Sequence, residues 1–365
     1  MSGPSLAIAP SDGNTAYACV TAQDAQQQPK RGISANQIWV THDCGAHWSH
    51  LTDPPGTPAN QCFLQVDALN MAIVVAWGRS IPLNNTPPIG TPPVLGAQGG
   101  GGFAAITFDG GRTWEQPTGD AAPGGTHEPA TAGGTTYAVR CCYSAPASAE
   151  RLMVSRDAMR SWSPVDAAIV AAGQGVDDFF YRPDTAELLA TAFDVNTLDR
   201  RLWRSADGGK NWTELPSPAT SFFDFYVAQQ PSSGQPWRLC AETFKPVHSA
   251  ETDPGPPTGI VCSDDGGYHW ASRPLPVVSD TGFTLLGITN GGDLLSQANG
   301  SHTDTLYRLP SGAQWQAFDI APGTDVSTTY VPSPGAGVLW ALPVPYSFYS
   351  PLDPAGRIYT KGYAT

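Results

Sequence analysis

The chain has 365 residues, with 32 Asp and Glu against 19 Lys and Arg, a formal net charge of −13 and a pI near 4.8. That balance excludes nucleic acid as a partner, because a phosphate backbone is bound by clustered Lys and Arg and no such cluster occurs. With 39 Gly and 35 Pro, the composition favours turns over long helices, and no apolar run approaches the ~18 residues of a membrane-spanning helix.

The start, Met1-Ser2-Gly3-Pro4, has no signal-peptide pattern and reads as a mature end with an added initiator. The expectation is an extracellular, secreted protein whose signal peptide is absent from this sequence. The first apolar strand, Gln37-Ile38-Trp39-Val40, runs into Thr41-His42-Asp43-Cys44-Gly45-Ala46-His47-Trp48. The pattern S/T-x-D-x-G-x-x-W then returns. It is carried by Thr107, Asp109, Gly111 and Trp114; by Ser155, Asp157 and Trp162, with Met159 in place of Gly; by Ser205, Asp207, Gly209 and Trp212; and by Ser263, Asp265, Gly267 and Trp270. A remnant keeps Gly312 and Trp315.

Each residue type has a physical role. Asp accepts hydrogen bonds from the N–H groups that follow it and closes a turn. Ser or Thr adds a second local bond. Gly supplies positive φ without steric cost. Trp covers a large area between neighbouring units and carries an N–H donor. Copies with the Ser/Thr–Asp pair, four full and one with Met159 for Gly, begin 48 to 66 residues apart, and the windows between them hold short strands separated by turn residues. The fourth unit shows this best: Asp178 to Arg182, Glu187 to Thr191, Arg201 to Arg204, and a strand after Trp212. Four short strands per unit make a propeller blade. No window has the 3.6-residue period of a long helix. A last unit starts near Ser327, passes through Val338-Leu339-Trp340 and Arg357-Ile358-Tyr359-Thr360, and lacks a clear fourth strand.

The repeat resembles the Asp-box, or BNR, repeat of sialidase-like β-propellers, along nearly the whole chain. The expectation is an all-β fold: one propeller domain over 1–365, with seven blades of four antiparallel strands. The resemblance implies that each box lies between third and fourth strands, away from the binding face. Long segments at Ala22 to Asn36, Gly78 to Gly102, Lys245 to Pro257 and Pro345 to Gly356 all join second to third strands and so belong to the opposite face. Candidate contacts for a partner there are Pro88, Val247, Tyr346, Phe348 and Tyr349, the aromatic ones able to pack on protein or sugar.

A sialidase reading would need an R-I-P string before the first box. The nearest string, Arg79-Ser80-Ile81-Pro82, is interrupted and follows that box. A generic glycosidase uses two carboxylates ~5–9 Å apart. Asp177, Asp178 and Asp224 are candidates by position, and ordinary hydrogen bonding at a blade edge is the plainer role for all three. His42, Cys44, His47 and His50 cluster at the first box, but the other boxes lack ligands at matching positions, so neither a metal nor a cofactor is expected. Counting inwards along a hairpin sets Cys240 opposite Cys262, at a separation that suits a disulfide. The preferred reading is a non-enzymatic protein-binding propeller. The chain also resembles secreted bacterial propellers that promote autolysis of an extracellular metalloprotease and serve as glutamine donors to transglutaminase. That resemblance implies both partners. Gln26, Gln27 and Gln28 in one polar segment are the candidate donor glutamines, with Gln37, Gln65 and Gln297 as further ones by type.

Overall fold

The structure, a computed structural model, describes residues 5–9, 12–22, 35–54, 61–79, 102–116, 130–140, 151–194, 200–218, 222–227, 234–244, 258–275, 283–289, 292–298, 305–310, 314–318, 328–333, 338–343 and 359–362. The strands described fall into seven sheets, five of four strands and two of three. Sheet one consists of Ser5–Ile8, Ala16–Ala22, Ala35–Thr41 and Ser49–His50. Sheet two has Gln61–Val66, Val74–Arg79 and Gly102–Thr107, and a single bridge between Ile106 and Glu115 begins a fourth pairing. Sheet three has Ala130–Ala132, Thr135–Arg140, Arg151–Ser155 and Ser163–Pro164. Sheet four has Gln174–Arg182, Glu187–Asp194, Arg200–Ser205 and Thr213–Leu215. Sheet five has Phe222–Val227, Leu239–Thr243, Gly259–Ser263 and Ala271–Arg273. Sheet six has Phe283–Ile288, Leu294–Ala298, Thr305–Leu309 and Gln316–Phe318. Sheet seven has Thr328–Ser333, Val338–Pro343 and Tyr359–Gly362.

The chain divides into two compact units, Met1–Pro183 and Asp184–Thr365. In both, the core lies between neighbouring sheets. In the first unit Tyr17, Cys19, Ile38 and Val40 of sheet one pack with Leu64, Val66, Val74 and Ala76 of sheet two. The other face of sheet two packs Val75, Trp77 and Ile106 against Met159. In the second unit Cys240, Ile260 and Cys262 of sheet five meet Phe283, Leu285, Leu294 and Leu309 of sheet six. A sheet covered on both faces needs apolar residues at consecutive positions, and Glu187–Asp194 accordingly buries its first six residues in a row. Each fully buried Leu or Ile contributes about 1.5–3 kcal/mol.

Two features depart from the sequence expectation. A one-turn helix, Ala167–Ala171, follows sheet three and buries only Ile169. Five residues are too few to show a helical period. The sixth turn is also shorter than its remnant suggests. Ser263 pairs with Leu239 and Cys262 with Ala271, just after Trp270. In sheet six Leu309 pairs with Leu294 and Arg308 with Gln316, just after Trp315. Leu309 therefore holds the Ser263 position, and one residue is missing between it and the tryptophan.

Candidate functional site at the turn end of the sheets

The five copies that keep the Ser/Thr–Asp pair fold as one hydrogen-bonded device. The hydroxyl of Thr41, Thr107, Ser155, Ser205 or Ser263 donates to Oδ1 of the aspartate two residues on, at 2.8–2.9 Å. The same hydroxyl accepts the N–H four residues on, from Gly45, Gly111, Met159, Gly209 or Gly267, at 2.8–3.0 Å. The Asp Oδ1 accepts the N–H of the residue before the tryptophan at 2.8–3.0 Å. The side chain of that residue reaches Oδ2: His47, Thr113, Ser161, Asn211 and His269 lie at 2.5–2.6 Å. A polar side chain before the tryptophan is thus part of the repeat, which the sequence pattern left as x.

These bonds set the aspartates' acidity. Asp43, Asp109, Asp157 and Asp207 are pulled down to about 2, and Asp265 further. The largest cause is the backbone N–H of the residue before tryptophan at Asp43, Asp207 and Asp265. At Asp109 and Asp157 it is that residue's hydroxyl.

Two consecutive residues after each aspartate have positive φ, where the sequence pattern demanded only one glycine: Cys44 and Gly45, Gly110 and Gly111, Ala158 and Met159, Gly208 and Gly209, Gly266 and Gly267. At Gly111 an added Cβ would come within 2.6 Å of Leu51 Cδ1. At Gly267 it would meet Leu202 and Leu215 at 3.0 and 3.1 Å. Leu51 and Leu215 stand three residues after Trp48 and Trp212; the residue so placed after Trp114 is Pro117. Met159, in the next turn after Pro117, has φ +63° and a fully buried side chain.

The tryptophans are half-buried, less covered than the sequence reading implied. Trp114 Nε1 donates to Thr52 O at 2.7 Å, Trp270 to Pro216 O at 3.1 Å and Trp315 to Pro274 O at 2.8 Å. In each case the acceptor stands four residues after the preceding repeat's tryptophan.

Two surfaces at this end stand out, one in each unit. In the first unit the turn after Gln61–Val66 is locked by buried Asp67. Its carboxylate accepts the N–H groups of Leu69, Asn70 and Gly133 at 2.8, 3.0 and 3.0 Å and the Thr131 hydroxyl at 3.1 Å. Tyr17 donates to Met71 O at 3.0 Å. The Gly110 N–H to Ala72 O bond, 2.9 Å, sets the second box turn alongside. On these fixed turns Leu69, Met71 and Phe108 are 63%, 41% and 39% exposed. In the second unit a cleft of about 100 Å³ lies between sheets five and six. Arg238, Asp264 and Arg273 stand at its polar side, and Cys240, Cys262, Ile288, Leu294 and Leu309 line its apolar side.

The predicted residues fall as follows. Cys240 and Cys262 are directly opposite and disulfide-bonded, with Cα atoms 4.1 Å apart. Cys19 is also in a disulfide, and Cys44 is a free thiol. Gln37, Gln65 and Gln297 lie half-buried inside paired strands. Gln26, Gln27, Gln28, Pro88, Val247, Tyr346, Phe348 and Tyr349 lie outside the described residues. Asp177 and Asp178 are half-buried on Gln174–Arg182, where Asp178 Oδ1 accepts the Phe179 N–H at 2.7 Å. Asp224 lies at a register shift between Phe222 and Phe225. Each first-box histidine has a local partner: His42 lies 3.1 Å from the Thr15 hydroxyl, His47 is bound to Asp43, and His50 is 3.0 Å from Asp53. Among the described residues no His, Cys, Asp and Glu group could hold a metal ion. The sequence reading missed Leu69, Met71 and Phe108, although two large apolar residues inside the seven-residue connection 67–73 were a visible signal.

No family model matches the chain, and no curated protein matches it. Solved structures do. A structure of YCF48 bound to D1 peptide superposes with a TM-score of 0.55 at 11% identity, over 93% of this chain and 88% of the other. YCF48 from Cyanidioschyzon merolae gives 0.54 at 12% identity, over 99% and 96%. A Hadza microbial sialidase matches at 0.40 and 14% identity, over 93% and 62%. The likeness to the YCF48 structures, joined to the run of short antiparallel sheets, shows the fold alone: an all-β, β-propeller-like run of sheets such as theirs.

Proposed function

We propose that the chain is a single seven-bladed Asp-box propeller spanning 1–365 that works outside the cell as a non-catalytic protein-binding module. Seven consecutive sheets supply one blade each, and the Ser/Thr–Asp turn recurs in the first five. The observation that carries binding is the rigid display of Leu69, Met71 and Phe108. Large apolar side chains held in solvent by hydrogen-bonded turns cost solvation and gain nothing within the chain, and such patches mark interaction surfaces. The likeness to a propeller with a bound peptide supports the same reading. Two sets of disulfide-bonded cysteines, Cys240–Cys262 and Cys19 with its partner, suit an oxidising compartment. The resemblance to the dispase autolysis-inducing protein supplies the partners: an extracellular metalloprotease driven to digest itself, and a transglutaminase that takes Gln26, Gln27 or Gln28 as donor. Pro88, Val247, Tyr346, Phe348 and Tyr349 are further contact candidates.

The test is capture of partners from the native secretome by wild type and by the L69S/M71S/F108S variant. The variant melts as wild type does and loses the captured protein. Equal capture by both would defeat the patch reading. The second reading, a glycoside hydrolase, draws on Asp177 and Asp178, neighbours on the first strand of sheet four. Turnover of sialosides or β-glucans that disappears in D177N or D178N would establish it instead.

A further inference from the structure

The cleft in the second unit holds more cation than its own carboxylate can match. Arg238 precedes the strand Leu239–Thr243, Asp264 follows Ser263, and Arg273 ends the fourth strand of the sheet. Two guanidiniums carry about ten N–H donors, and one carboxylate accepts about four hydrogen bonds. The sharing is uneven: Asp264 lies 3.1 Å from Arg273 Nη2 and 3.6 Å from Arg238 Nε. Only the first is a hydrogen-bond distance. The Asp264 side chain is 63% exposed. Nearby, Arg308 and Asp293 form a tighter pair, with Nε 2.7 Å from Oδ2 and the carboxylate largely buried.

The neighbouring turn is shaped around Arg238. Gly292 has φ +84°, and a Cβ there would stand 2.1 Å from Arg238 Nη1. The guanidinium occupies the space that any other residue would fill. Its apolar side is the disulfide with Ile288, Leu294 and Leu309, all buried. A charge facing such a surface is less screened than one in open water. The volume, about 100 Å³, is far below the roughly 300–1,000 Å³ of a small-molecule site. It accepts an end group with a few carbons, and no sugar ring.

We propose that this cleft binds the carboxylate of a Glu or Asp side chain presented by a partner protein, with Arg238 and Arg273 as the receiving pair and Asp264 as an internal carboxylate that the incoming one displaces. The resident ligand is itself a carboxylate, whose planar form matches a guanidinium fork. The inference stands apart from the apolar patch, which lies in the other unit.

The experiment titrates the full-length protein at low ionic strength with Ac-Gly-Gly-Glu-Gly-Gly-NH2, its Gln counterpart, glutarate and inorganic phosphate. The readout is the side-chain Nε–H NMR signals of Arg238 and Arg273. The Glu peptide shifts both signals and the Gln peptide shifts neither. R238Q and R273Q each weaken binding about fivefold, and D264N, freed of the internal competitor, tightens it about fivefold. A merely structural role for Asp264 would give no tightening. Equal response to the Gln peptide, or no gain in a D264N protein of unchanged melting temperature, overturns the proposal. Tighter binding of glutarate or phosphate than of the Glu peptide overturns the assignment to a protein side chain.

Discussion

At the scale of single residues, the turn aspartates make a definite statement about acid. Their carboxyls titrate near 2 in the folded chain, below the ordinary 3.8. A depressed folded value means that the unfolded chain takes up protons first. The contribution to stability is complete above the ordinary carboxylate range and is lost as pH falls from there through the folded value. The melting temperature should hold from neutrality to about pH 5 and drop between about pH 4 and 2. In D109N the hydroxyl of Thr113 loses its charged acceptor, so the variant melts lower at pH 7 and shows a shallower acid decline. An acid decline as steep as that of wild type would mean that Asp109 is not one of the groups responsible.

At the scale of elements, the N–H of Trp114, Trp270 and Trp315 is a tether between consecutive repeats. W114F keeps an aromatic ring and removes the donor to Thr52 O. It should lower stability by about 1 kcal/mol, the net value of one hydrogen bond, readable by denaturant titration. The Cys240–Cys262 bridge spans a sequence separation of 22. C240S/C262S should lose about 2–4 kcal/mol on the chain-entropy account. The repeat was legible in the sequence because each of its residue types has a local task, and local tasks leave local patterns. Cys240 and Cys262 were legible because hairpin register is arithmetic. Phe108 was not: it stands at a variable position of the repeat, and its exposure follows from packing that the pattern does not encode. The Arg238 cleft was hidden for a related reason, since Arg238, Asp264, Arg273 and Gly292 meet only once two sheets pack.

At the scale of the whole molecule, the acidic composition and the turn chemistry act in different pH ranges. Net charge vanishes near the pI of 4.8, where the turn aspartates are still ionised and their bonds intact. Loss of net charge removes the repulsion that keeps molecules apart. Light scattering should therefore peak near pH 4.8 with the near-ultraviolet circular dichroism still native, and L69S/M71S/F108S should scatter less because it lacks the apolar contact. A scattering peak that coincides with loss of the native spectrum would mean that unfolding drives association. Met159, finally, bears on how duplicated units drift apart. At Gly111 and Gly267 the space beside the box turn is filled by a leucine of the preceding repeat, Leu51 or Leu215, whereas in the third turn the glycine's place is taken by Met159, whose own side chain is fully buried. A larger residue at Gly111 therefore needs a smaller one at Leu51. G111M alone should be severely destabilising and L51A alone costly by about 2–5 kcal/mol. The L51A/G111M double variant should recover more than 1 kcal/mol relative to the sum, a coupling typical of residues in contact. A duplicated seam would thus accumulate its differences in pairs.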